Sequence, residues 1–156
     1  MTTKSELSES KAQELIAKNE TQLHELLGMT MKTVQEDLQK QGSFDPGVTY
    51  SDHLGPREDL QLIGRRVFNK VHVQAYNLVC GSDPEDKEDR DRIIGALGLS
   101  ASAVVVAITG VLIGTFGLAA ALAGIIAALI YTRFIKPAGA TGLDTVCQIW
   151  KENLPS

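Results

Sequence analysis

IIGALGLSASAVVVAITGVLIGTFGLAAALAGIIAALIYT, from Ile93 to Thr132, contains no Asp, Glu, Lys, Arg or His. As one straight helix this stretch would reach ~60 Å, about twice the ~30 Å hydrocarbon core of a bilayer. It has a natural midpoint at Gly114-Thr115-Phe116-Gly117, where two glycines enclose a short break. Glycine is permissive in turns and costly inside helices. The sequence therefore predicts two antiparallel helices, about Ile93 to Ile113 and Gly117 to Thr132, joined by a tight tip. Phe134 and Ile135 extend the second helix past Arg133, whose charge can snorkel to an interface.

Small residues recur at helical spacing in both halves. Ala103, Ala107, Gly110 and Gly114 lie on one face of the first segment, and Gly117, Ala121, Gly124 and Ala128 on one face of the second. Folding the chain at the tip brings Gly114 against Gly117, Gly110 against Ala121, Ala107 against Gly124 and Ala103 against Ala128. Small faces let apolar helices approach closely, so these eight residues are the expected hairpin contact.

The flanks suggest an orientation. Lys87, Arg90 and Arg92 precede the run, Arg133 and Lys136 follow it, and the tip carries no basic residue. The positive-inside rule then keeps both termini on the cytoplasmic side of a two-span protein, with Arg90, Arg92, Arg133, Lys136 and Trp150 at the membrane interface. Trp150 suits a boundary because its ring is apolar and its N–H polar, and it equally suits packing on the other helices. The start, MTTKSELSES, lacks the apolar core of a signal peptide.

The rest of the chain also reads as helical, with a cytosolic region over 1–92, the hairpin over 93–135 and a tail over 136–156. Leu15, Ile16, Leu23, Leu27, Val34 and Leu38 form an apolar stripe from about residue 5 to residue 41, with a bend favoured at Gly28. Gly42 to Pro56 is a turn-rich connector holding Asp45-Pro46-Gly47 and Leu54-Gly55-Pro56. A second long helix is expected from Arg57 to Cys80, stopped by Gly81. Ser82 or Asp83 can cap the next helix and Pro84 fits its first turn, which predicts one continuous helix from Pro84 to Ile113. After a Pro- and Gly-containing loop, Thr141 or Asp144 starts a short last helix with Leu143, Val146, Cys147 and Trp150 on one side.

Chemistry-bearing patterns are sparse. No nucleotide loop, metal motif or activated nucleophile is present, so no catalytic, cofactor-binding or metal-binding residue is assigned and no enzyme is expected. Ser51, Asp52 and His53 adjoin in sequence, but a catalytic triad is assembled by a fold, and a polar turn accounts for them better. His24 and His72 read as structural histidines. Cys80 and Cys147 are far apart, lack metal-site spacing, and read as free, buried thiols. The net charge of −4 argues against nucleic acid as a partner. The basic cluster Arg65, Arg66 and Lys70 reads as a solvated face or a contact to lipid phosphates. The acidic cluster Asp83, Glu85, Asp86, Glu88, Asp89 and Asp91 reads as a solvated juxtamembrane helix, with a brake on insertion as the functional alternative.

The Ala- and Gly-rich hairpin over Ile93–Thr132 resembles that at the core of pore-forming colicin-like toxins. The resemblance implies a bundle that hides the hairpin until triggered. The chain offers only about three amphipathic neighbours to wrap it, so a monomer is expected to leave a large apolar patch, and oligomers are needed. Together these features predict an all-α protein with a transmembrane hairpin. The expected role is that of a membrane-inserted, oligomeric effector or assembly module that can permeabilise the bilayer, with the bilayer, further copies of itself and a protein on its N-terminal amphipathic helices as partners. The alternative is a soluble colicin-like or adaptor-type protein that buries the hairpin in an oligomer.

Overall fold

A computed structural model of the chain describes residues 9–36, 57–81, 84–97, 99–138 and 143–154. The regular elements are helical: α1 (Glu9–Ile16), α2 (Glu20–Glu36), α3 (Arg57–Cys80), α4 (Lys87–Leu97), α5 (Ala101–Gly114), α6 (Ala120–Ile130) and α7 (Leu143–Glu152). A 3₁₀ turn, Pro84–Asp86, leads into α4, and a π-helical turn, Tyr131–Ile135, continues α6. The Gly42–Pro56 connector with Ser51, Asp52 and His53, the caps at Ser82, Asp83 and Thr141, and the outer ends of the first expected helix lie outside the described residues.

The N-terminal stripe is interrupted at Ala17–Asn19 rather than at Gly28, which is buried within α2. The cause is a reciprocal cap. Asn19 Oδ1 accepts from the Gln22 N–H at 2.8 Å, and Gln22 Oε1 accepts from the Asn19 N–H at 3.0 Å. Two otherwise orphaned donors at the start of α2 are thereby satisfied.

The expected single helix from Pro84 to Ile113 is also divided. Ser100 adopts an extended backbone, and its Oγ accepts from the Ala103 N–H at 3.2 Å, starting α5 afresh. The chain turns between the end of α5 at Gly114 and the start of α6 at Ala120. Gly117 takes a positive φ of 72°, a conformation that glycine adopts without a Cβ penalty. Its N–H and that of Leu118 reach back to the Ile113 and Leu112 carbonyls.

No helix among the described residues is long and apolar enough to cross a membrane. With α5 starting only after Ser100 and α6 giving way to the π turn, neither reaches ~30 Å at 1.5 Å per residue. The all-α class stands, and the transmembrane form of the hairpin is not what this fold contains. Instead α6 forms the centre of the bundle. Every residue from Leu122 to Ile130 is buried, with α1, α2, α3 and α5 packed around it.

The wide apolar patch expected of a monomer is not seen: the exposed large hydrophobics among the described residues are Met29, Ile94 and Leu99. The small residues of α5 explain part of this. Gly110 and Gly114 are exposed, and a Cβ on either would meet nothing within 4 Å. The outward side of α5 thus presents little apolar area to water.

Candidate functional site

α3 carries Arg65, Phe68, Asn69, His72 and Tyr76, which lie three, four, seven and eleven residues along from Arg65 and so fall along one side of the helix. α2 brings Glu20, Thr21 and His24 to the same region. Gly64 makes the close approach of the two helices possible, because a Cβ there would overlap the His24 carbonyl oxygen. The π turn after α6 adds Arg133 and Phe134, and α7 adds Trp150. π-helical insertions are rare and often occur at functional positions. This one is closed by the Lys136 N–H bonding the Tyr131 carbonyl at 2.8 Å.

These side chains form a continuous stack. The His24 ring meets Phe68 edge-on at 5.9 Å, and Phe68 stacks on His72 at 4.6 Å. Phe134 lies 5.4 Å from His72 and stacks on Trp150 at 5.0 Å. Tyr76 closes the far end against Trp150. His72, Phe68, Phe134 and Trp150 are all essentially inaccessible to water.

Hydrogen-bond partners fix the two neutral imidazoles in opposite tautomers. Trp150 Nε1–H can only donate, so His72 Nδ1 accepts from it, at 3.1 Å, and the His72 proton sits on Nε2. The Glu20 carbonyl can only accept, so His24 Nδ1 donates to it, at 2.8 Å, and the His24 lone pair sits on Nε2. Both Nε2 atoms are buried without a partner. Burial, and then the charge of Arg133, push the His72 pKa down to about 4. His24 is lowered chiefly by burial, against its bond to Glu20, with the Arg65 and Arg133 charges adding to the depression.

Arg133 is held by ring faces more than by carboxylates. Its guanidinium lies 5.6 Å from the Phe68 centroid and 5.5 Å from that of Phe134, within cation–π range. Its contacts to Glu20 at 3.9 Å and to Asn153 at 3.4 Å are long. Arg133 borders a polar cleft shared with Glu20, Thr21, His24, Arg65 and Asn69.

The structure disperses most of the expected site residues. On α6, Gly124 and Ala128 are buried and Ala121 is exposed; on α5, Ala103 and Ala107 are half-buried while Gly110 and Gly114 face outward. Gly117 serves the tip turn. The α5 and α6 helices pack together, with Ala107 against the core and Gly110 and Gly114 on the open side of α5. Of the interface set, Arg90 Nε donates to the Leu78 carbonyl at 3.0 Å, Arg92 pairs within α4 with Glu88 and Asp89, and Lys136 is exposed. Trp150 is buried, with 1% of its surface accessible. Asp89 accepts a hydrogen bond from the Thr115 hydroxyl at the hairpin tip, a role that the acidic cluster did not disclose.

Cys80 and Cys147 are not free thiols. They form a disulfide with a Cα–Cα separation of 5.7 Å, within the ordinary range. The end of α3 and the start of α7 pack side by side, a proximity that spacing of 67 residues gave no means to see.

No protein-family model, no curated protein and no solved structure matches this chain. Fold and site together define a helical bundle built around an apolar hairpin, with a buried histidine–aromatic stack against one end of the central helix.

Proposed function

We propose that this chain is a membrane-active helical protein that stores its apolar hairpin at the centre of a bundle and delivers it to a bilayer when the bundle loosens. The observation that carries this reading is the unbroken burial of α6 from Leu122 to Ile130. A segment this apolar, with both its ends tied to surrounding helices, is suited to storage in one state and lipid contact in another. Joining α4 to α5 across the Ser100 break would give a helix from Ile93 to Gly114 of roughly 33 Å, enough to span.

Two tethers hold the stored state. Asp89 on α4 binds Thr115 at the tip, and the disulfide fastens α7 against α3. Such a bridge persists in oxidising surroundings, so the proposed setting is an oxidising compartment or the cell exterior. The expected placement with both termini in the cytoplasm is less compatible with it.

The test uses Gly114→Cys, at an exposed position of the tip, labelled with an environment-sensitive fluorophore while the native disulfide stays intact. Vesicles of phosphatidylglycerol and phosphatidylcholine are added at neutral and mildly acidic pH. A blue shift together with leakage of an entrapped dye is expected. An unchanged spectrum and intact vesicles at both pH values would overturn the reading.

A further inference from the structure

The cleft beside the histidine stack has a volume of about 360 Å³ and is lined by Glu20, Thr21, His24, Arg65, Asn69 and Arg133. Two guanidinium groups face one carboxylate, so the cleft is locally cationic although the chain carries a net charge of −4. Arg65 and Asn69 stand one turn apart on α3, and Arg133 is aimed by the π turn and held over Phe68 and Phe134. Ring stacking restrains a guanidinium without consuming its N–H donors. Among the described residues Arg65 has no carboxylate within ion-pair distance, and the single one beside Arg133 is 3.9 Å away.

The donor set is therefore in place for an anion, with the Arg forks matching the oxygens of a phosphate. The Asn69 amide and the Thr21 hydroxyl supply neutral donors. Glu20 sets a further condition. Its carboxylate repels a bare anion but accepts from a hydroxyl or ammonium group carried by the same ligand. We infer that this cleft binds a small phosphate ester bearing a hydroxyl or amino group, with Arg65 and Arg133 on the phosphate and Glu20 on the neighbouring donor. A free ester and a phospholipid headgroup share this chemistry. The inference does not depend on the hairpin entering a bilayer.

His24 reports on occupancy. The charges of both arginines depress its pKa, so an anion placed between them should raise it. The experiment titrates the intact, disulfide-bonded protein with glycerol 1-phosphate at constant ionic strength, following the arginine Nε–H and histidine ring resonances by NMR. Saturable shifts at Arg65 and Arg133, and an upward shift of the His24 pKa, are expected. Arg65→Gln and Arg133→Lys should each weaken binding about tenfold, the loss of one charge-assisted bond or of a bidentate fork. Arg66→Gln, on the adjacent position outside the cleft, should bind as the parent does. Glu20→Gln should reduce the preference for glycerol 1-phosphate over inorganic phosphate.

Flotation with phosphatidylglycerol against phosphatidylcholine vesicles separates the sources. Binding of phosphatidylglycerol that is lost in Arg65→Gln identifies the headgroup, and binding of the soluble ester alone identifies the free compound. Absence of saturable shifts at both arginines, or equal affinity in Arg65→Gln and Arg66→Gln, would overturn the inference. Either result is independent of dye leakage and of the tip fluorescence, which report on insertion.

Discussion

Trp150 Nε1–H donates to His72 Nδ1 at 3.1 Å, inside the bundle and across 78 residues of chain. The bond joins α7 to α3 and decides which His72 nitrogen carries the proton. Trp150→Phe would retain a ring against Phe134 but leave His72 Nδ1 as well as Nε2 without a partner. A buried polar atom stranded in this way costs about 1–3 kcal/mol. Urea unfolding followed by far-UV circular dichroism should show that loss. Adding His72→Phe to Trp150→Phe removes the stranded acceptor, so the double variant should lose less stability than the sum of the two single variants. Additive losses would mean that the two rings are energetically separate.

Stability should fall as the solution is acidified from neutral. His72 titrates near 6.5 when unfolded and about 4 in the bundle, so between those values the unfolded chain binds the extra proton. Stability is then complete above the unfolded pKa and is lost as pH drops through the folded one. The expected loss is on the order of 3 kcal/mol, with His24 shifted in the same direction. His72→Gln can still accept from Trp150 but does not titrate. Its unfolding free energy should change distinctly less between neutral pH and pH 4 than the parent's; equal slopes would remove His72 as the source.

The disulfide gives a third expectation. Native protein should contain no reactive thiol, and reduction should expose two, gaining two hydrogens in mass. Because the bridge closes a loop of 67 residues, cutting it should destabilise the bundle by about 4 kcal/mol on the chain-entropy account. Cys147→Ser should unfold at a correspondingly lower denaturant concentration, and adding reductant should then change nothing further. An unaltered midpoint on reduction of the parent would show that α7 is held by packing alone.

The sequence disclosed periodic and compositional features well: the uncharged run, its division at Gly114–Gly117, and the helical character of the chain. Local polar chemistry is also legible in it. Asn19 with Gln22, and Ser100 before Ala103, are readable caps, and each ends a helix that the apolar pattern alone would have continued. What could not be read was anything set by long-range packing. Cys80 and Cys147 gave no spacing signal, and His72 gave no sign of Trp150. The Ala103–Gly114 stripe had the right period for a helix contact, yet period cannot say which neighbour a face will meet. Here Gly110 and Gly114 face outward, and close approach is achieved at Gly64, a residue that no repeat singled out.

That contrast between glycines is directly testable. At Gly64 an added Cβ would overlap the His24 carbonyl, a backbone atom that can yield only if α2 and α3 separate. Gly64→Ala should therefore destabilise the bundle by about 1–3 kcal/mol, the usual cost of overpacking. It should also disturb the His24 resonances, because α2 must shift. At Gly110 a Cβ meets open space within a regular helix. Gly110→Ala should stabilise by up to about 1 kcal/mol through helix propensity alone. Both effects are measured from denaturant midpoints at neutral pH. Destabilisation by Gly110→Ala of the size found for Gly64→Ala would mean that the α5 stripe is a buried contact and that the hairpin is turned the other way.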